Sequence, residues 1–168
     1  VQRLLDNVDV YVYREVRTDR YFTQAGFAWI PPKGAVDRRK LNGQRPKLLQ
    51  VGEIAPEFEL PLTNGKRVSL GGALKGKKGL LVNFWFINCG CCQLEMPEFA
   101  GLYRKAKDLE IPAINDTDTA DEIRRFVKKS DYHFPVAIDE GGKAAQAYRV
   151  KEHGHPLTYL ILPDRTVA

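Results

Sequence analysis

The sequence predicts an α/β protein: a sandwich with a mixed central β-sheet flanked by helices, plus a β-rich extension at the N-terminus. Three observations predict it. An apolar, β-favouring run from Leu80 to Ile87 ends in a polar, Gly-containing break, and helical periodicity starts at or just after Cys89. Further along, short strand-like runs alternate with segments whose apolar residues recur at helical spacing. The last strand-like run, Gly154 to Ile161, is led by a proline, Pro156.

Taken in order, Val8 to Val16 is dense in β-formers and reads as a strand, and Gly26 to Ile30 reads as a second, stopped by Pro31-Pro32. Two strands cannot bury a core alone, so residues 1–37 need a partner: the following domain, another copy or upstream sequence. Residues 38–50 are polar, basic and broken by Gly and Pro, which reads as a linker. A second domain, residues 51–168, opens at Gly52 to Leu60, and Asn64-Gly65 marks a turn into the extended piece Lys66 to Leu70. Gly71 to Gly79 reads as a Gly- and Lys-rich approach to the central strand.

After the cysteines, Leu94, Met96, Phe99, Leu102, Tyr103 and Ala106 mark a helix to about Lys107, with Pro97 removing one donor and kinking it near Gln93. Ile111 to Asn115 is a short strand candidate containing Pro112. Thr119 and Glu122 fit a capping box, with Ile123, Phe126 and Val127 as the buried stripe of the helix that follows. Phe134 to Ile138 is the next strand, and Lys143 to Tyr148 a short helix opened by Gly141-Gly142. A proline at the first residue of the final strand suits a cis peptide bond.

At 168 residues, 43% hydrophobic and 28% charged, the chain suits one soluble domain with an appendage. No apolar run approaches the ~18 residues of a membrane span, and no signal peptide is visible. Because the chain opens on Val1, an upstream piece is expected to have been removed or excluded. The net charge of +5 is uneven: residues 1–50 carry ten Lys/Arg against five Asp/Glu, and residues 51–168 carry sixteen of each. The basic excess contains no nucleic-acid motif, and Arg38-Arg39-Lys40 reads as solvated linker rather than a phosphate or lipid patch.

All three cysteines, Cys89, Cys91 and Cys92, fall in one turn, so no disulfide framework holds the fold and their role is chemical. Cys89 is placed at a helix N-terminus, where unpaired N–H groups and the helix dipole favour a thiolate. Cys92, three residues on, lies one turn up the same face and can close a disulfide with it.

These residues, with Gly52-x-x-Ala55-Pro56-x-Phe58, Val82-Asn83-Phe84-Trp85, Glu95-Met96-Pro97-Glu98, Phe134-Pro135-Val136 with Asp139, and Gly154-x-Pro156-x-Thr158, resemble a family. It is the bacterial, extracytoplasmic TlpA/ResA-type thiol-disulfide oxidoreductases of the redoxin (AhpC/TSA) group, which have the thioredoxin fold. The resemblance implies that Cys89 is the exposed attacking thiolate and Cys92 the buried resolving thiol. It makes Pro156 a cis-proline shaping a peptide groove, with Trp85, Gly90, Cys91 and His155 as neighbours of the site. It implies a disulfide-containing protein substrate and an upstream thiol reductant, with no cofactor and no nucleic acid, and leaves room for a membrane tether outside this chain. Thioredoxin's buried Asp is replaced by Asn83, as in the TlpA-like branch. The opening segment, finishing in an aromatic strand and Pro31-Pro32-Lys33-Gly34-Ala35, resembles the last strands of LolA-like domains.

Three departures are visible. Gly90-Cys91 stands where the family has Gly-Pro; His155 stands before the cis-proline, where an imidazolium close to Cys89 would favour its thiolate; and the chain stops at Ala168, before the family's last strand and helix. Two other readings compete. A thiol peroxidase of the redoxin group needs a Thr three residues before its reactive cysteine, where Phe86 and Asn88 stand. A Cu(I) module would use Cys89, Cys91, Cys92 and His155 as soft ligands. Glu95 and Glu98 read as solvated helix surface, His133 and His153 as surface residues, and Asp116 and Asp118 as turn and cap residues.

Overall fold

The computed structural model describes residues 47–130 and 132–168; the strands expected at Val8–Val16 and Gly26–Ile30, and residues 38–46 of the linker, lie outside them. The linker's last residues, Lys47 to Gln50, are described, and they pack on the domain. Leu49 is buried, and the Arg149 guanidinium donates to the carbonyls of Lys47 and Leu48 at 2.5 and 3.0 Å. Two leucines inside a polar run are what the linker reading overlooked.

The hairpin expected around Asn64-Gly65 forms from β1 (Glu59–Pro61) and β2 (Arg67–Ser69). The expected Gly/Lys-rich approach is instead partly helical, as α1 (Leu70–Leu74). Ser69 caps it by accepting from the Gly72 N–H, and Leu70, Ala73 and Leu74 bury one face. Cap and apolar stripe outweigh the poor helix propensity of Gly71-Gly72.

Next come β3 (Gly79–Trp85) and α2 (Gly90–Lys105), which runs as one helix through Pro97. β4 (Leu109–Glu110) and β5 (Ala113–Asn115) follow. The chain ends with α3 (Ala120–Lys129), β6 (Val136–Ile138), α4 (Lys143–Ala147), α5 (Val150–His153) and β7 (Leu157–Ile161). The expected capping box is present on α3: Thr119 accepts from the Glu122 N–H, while Glu122 accepts from the Thr119 N–H at 3.0 Å. The hydrogen bonds from Thr119 hold the Glu122 carboxyl below the usual carboxylate range.

β3 is the middle of the sheet. β7 pairs it antiparallel from Leu80↔Ile161 to Phe84↔Leu157, and β5 pairs it parallel on the other side at Asn83↔Ala113 to Trp85↔Asn115. β4 pairs parallel with Gly79 and Leu80, so β4 and β5 are two pieces of one strand path broken at Pro112, which has no N–H to give a ladder. β6 completes the sheet, parallel to β5. Residues 166–168 turn back along β7, with Ile161↔Val167 bridged and the Ala168 N–H donating to Leu160 at 2.9 Å.

Alternation along β3 divides the core into two clusters on opposite faces of the sheet. Leu80, Val82 and Phe84 pack with Leu70, Tyr148, Val150 and Ile161. Trp85 packs with Cys89, Cys92, Met96, Ile123 and Ile138. Tyr148 centres the first cluster, with ring centroids 5.3 Å from Phe84, 5.6 Å from Tyr159 and 6.2 Å from Phe58. Its hydroxyl donates to the Pro56 carbonyl at 2.9 Å, and burial raises its phenol far above the ordinary value. Removing this ring (Tyr148→Ala) is expected to destabilise the domain by about 3–5 kcal/mol, whereas Tyr148→Phe, which only orphans the Pro56 carbonyl, costs about 1 kcal/mol. Denaturant unfolding of the two variants checks the ordering.

Candidate active site

The cysteine turn follows directly from the sheet. β3 is buried except at the half-buried Leu81 and paired on both sides, so the segment after Trp85 is delivered to the end of the sheet where the parallel strands terminate. There the chain turns, with the Cys89 N–H donating to the Phe86 carbonyl at 3.3 Å, and α2 begins at Gly90. Cys89 is the N-cap residue, extended at φ −83° and ψ 104°. Its Sγ takes the place usually held by a Ser or Asp oxygen and accepts the Cys92 N–H at 3.1 Å. The first turn of α2 contains no acidic residue, so nothing there opposes negative charge on Cys89.

Cys89 and Cys92 are joined in a disulfide with Cα atoms 5.1 Å apart. Both are largely covered, Cys89 7% exposed and Cys92 1%. Cys91 is a free, exposed thiol. Successive residues on a helix differ by about 100° in direction, so Cys91 points away from the face on which Cys92 meets Cys89. Trp85, expected beside the site, lies beneath it: the indole is 1% exposed and its ring centroid is 5.4 Å from Phe126 of α3. Gly90 starts the helix with open space where a Cβ would stand.

The peptide bond between His155 and Pro156 is cis, as expected. His155 has a carboxylate partner that the sequence did not show. Its Nε2 lies 2.6 Å from Asp116 Oδ1, and its ring meets the Phe86 ring edge-on at 5.2 Å. With the imidazole held by a carboxylate, the cysteines are not its hydrogen-bonding partner in this oxidised form. The four residues of the Cu(I) reading are not grouped as ligands in this oxidised form. Cys89 and Cys92 are consumed in a disulfide, Cys91 faces solvent and His155 is engaged by Asp116. Among the described residues, no group of three or more His, Cys, Asp or Glu could hold a metal ion.

Beneath the turn, Asn83 donates from Nδ2 to Thr158 Oγ1 at 3.0 Å, tying β3 to the strand after Pro156. Its Oδ1 is buried and has no hydrogen-bond partner among the described residues. Sequence reasoning missed two residues. Asp116 and Asp118 were read as turn and cap residues, yet their carboxylates hold His155 and the backbone N–H of Ile87, the latter at 2.7 Å. No local pattern could reveal this, because the partners are 39 and 31 residues away in sequence.

Comparison with known proteins agrees with this geometry. A protein from Bacillus cereus named thiol-disulfide oxidoreductase ResA is 40% identical over 121 residues, covering 71% of this chain and 68% of its own. Its Bacillus subtilis namesake is 38% identical over 118 residues, covering 69% and 64%. The solved thioredoxin domain of a thiol-disulfide oxidoreductase from Bacteroides vulgatus superposes with a TM-score of 0.61 at 22% identity, covering 71% of this chain and 86% of that one, and shows the fold to be thioredoxin-like. Residues 51–168 match the AhpC/TSA family, and the chain belongs to it.

Proposed function

We propose that the protein reduces disulfide bonds in partner proteins, with Cys89 as the attacking sulfur and Cys92 as the resolving one. The protein is a thiol-disulfide oxidoreductase: its relatives carry that name, and its paired sulfurs form the disulfide the activity requires. The observation that carries the division of roles is unequal access at one helix start. Cys89 caps α2 and keeps some exposed surface, while Cys92, inside the first turn, is sealed against Trp85 and Met96.

In the reduced protein the Cys89 thiolate attacks one sulfur of the substrate disulfide. The substrate S–S bond breaks, its other sulfur leaves as a thiolate and takes a proton from solvent, and Cys89 is joined to the substrate. Cys92 then gives its proton to solvent and attacks Cys89 Sγ, forming the Cys89–Cys92 bond and expelling the second substrate thiolate. Two electrons have passed to the substrate. An upstream thiol reductant returns them to the Cys89–Cys92 pair by the reverse exchange.

The helix start favours this order. Cys89 Sγ already accepts one backbone N–H, and the positive end of the helix dipole lies under it, so its thiolate is the better stabilised of the two. Neither Phe86 nor Asn88 supplies the hydroxyl that the peroxidase reading needs, and no observation at the site favours that reading. The reading includes action outside the cytoplasm, supported by the resemblance to TlpA/ResA-type proteins. Among the described residues no helix is long and apolar enough to cross a membrane.

The division of roles is checked by trapping. With insulin as the protein disulfide, Cys92→Ser should accumulate a mixed disulfide through Cys89 that dithiothreitol releases, while Cys89→Ser accumulates none. Trapping by Cys89→Ser alone would reverse the assignment. Non-reducing electrophoresis with peptide mapping reads the result.

A further inference from the structure

Two segments from distant parts of the chain form the walls of the site and meet through the Phe86 and His155 rings, 5.2 Å apart. One is the segment Phe86 to Cys89 that leads into α2; the other is the His155–Pro156 cis peptide that leads into β7. Between β5, which ends at Asn115, and the α3 cap at Thr119 there are only three residues, Asp116-Thr117-Asp118. That short loop touches both walls. Asp118 Oδ2 accepts the Ile87 N–H at 2.7 Å, two residues before the attacking cysteine. Asp116 Oδ1 lies 2.6 Å from His155 Nε2, one residue before the cis-proline.

The loop is itself fixed. Asn115, 1% exposed at the end of β5, accepts from the N–H groups of Thr117 and Asp118 at 3.1 and 2.9 Å and donates from Nδ2 to Asp118 Oδ2 at 2.8 Å. The Asp116 and His155 side chains are 5% and 13% exposed, so their contact is sheltered from water. The cysteine side of the loop is also held from α2, where Gln93 Nε2 donates to the Ile87 carbonyl at 2.6 Å.

We propose that Asp116 and Asp118 are positioning residues that hold the two walls of the site from one loop: Asp118 holds the approach to Cys89, and Asp116, through His155, holds the cis-proline side on which a substrate polypeptide would be received. The proposal rests on the oxidoreductase reading. Physically, each carboxylate serves a different step. Fixing Ile87 limits the freedom of Cys89 in the dithiol, which lowers the entropy lost when the Cys89–Cys92 bond closes. Fixing His155 limits the freedom of the backbone that a polypeptide must pair with, which affects binding and leaves the sulfurs' own equilibrium alone.

The two substitutions therefore separate two readouts. Asp118→Ala should make the disulfide easier to reduce, changing its equilibrium constant against glutathione about fivefold, the scale of one net hydrogen bond. By the two-electron conversion of about 30 mV per tenfold, that is a rise of roughly 20 mV in midpoint potential. Its KM for insulin should stay within about twofold of the parent. Asp116→Ala should raise the KM for insulin about fivefold while leaving the potential unchanged. His155→Ala removes the same contact from its other end and should reproduce the KM effect. Asn at position 116 or 118 keeps an oxygen acceptor and should return each readout most of the way to the parent value.

The proposal is overturned if potential and KM move together in both alanine variants, if neither moves, or if His155→Ala leaves the KM unchanged. Near-ultraviolet circular dichroism verifies folding, and if an alanine variant does not fold, His155→Ala and the Asn variants still decide the cis-proline arm. Failure of wild-type protein to reduce insulin would instead count against the oxidoreductase reading. The glutathione equilibrium of Asp118→Ala reads its own arm without any substrate.

Discussion

One hydrogen bond organises the chemistry of this protein: the Cys92 N–H donating to Cys89 Sγ at the start of α2. A sulfur standing as N-cap has two consequences at once. It satisfies a helix donor that would otherwise have no partner, and it brings the sulfur over the positive end of sixteen residues of helix. The same geometry puts the next inward-facing position of the first turn at Cys92, so cap and disulfide are made by the same two residues in one arrangement. The third cysteine falls between them on a different face of the helix, free and exposed.

For that cap to sit in a fixed place, the strand before it must not move. β3 is deeply enclosed and paired on both sides, with Leu80, Val82 and Phe84 at 0% exposure and Trp85 at 1%. Its partners on both sides also supply the rest of the site. β7 carries the cis-proline at its entrance, and β5 ends in Asn115, which builds the loop holding the two walls. Gly79 opens β3 because a Cβ there would stand 3.3 Å from the Ile161 carbonyl of β7. The reacting sulfurs, the groove and the loop that spaces them are thus all anchored to one paired strand and its immediate neighbours.

Elements with a strong local pattern were legible in the sequence. The apolar run of β3, the spacing of Cys89 and Cys92, the Thr119–Glu122 box and the Asn64-Gly65 hairpin each encode their structure within a few residues. What was not legible depends on long-range partners. His155 is visible beside Pro156 in the sequence, but the partner of its ring, Asp116, lies 39 positions earlier. Leu48 and Leu49 were hidden in a polar run, and the core that receives Leu49 is assembled from strands far downstream. Helix α1 escaped notice because its Gly-Gly pair argues against a helix locally, whereas the Ser69 cap and the burial of Leu70 and Leu74 decide for it. Trp85 is legible as a neighbour of the cysteines, but alternation along β3 fixes only its face and not how completely α3 covers it.

The central claim is that Cys89 and Cys92 form one two-electron couple from which Cys91 is excluded. It is tested most directly by equilibrating the protein across a series of thiol/disulfide ratios and measuring, by alkylation and mass spectrometry, the oxidised fraction of each cysteine. The account predicts a single transition shared by Cys89 and Cys92, with Cys91 alkylated throughout. Protection of Cys91 in step with either of the others, or separate transitions for Cys89 and Cys92, would contradict it.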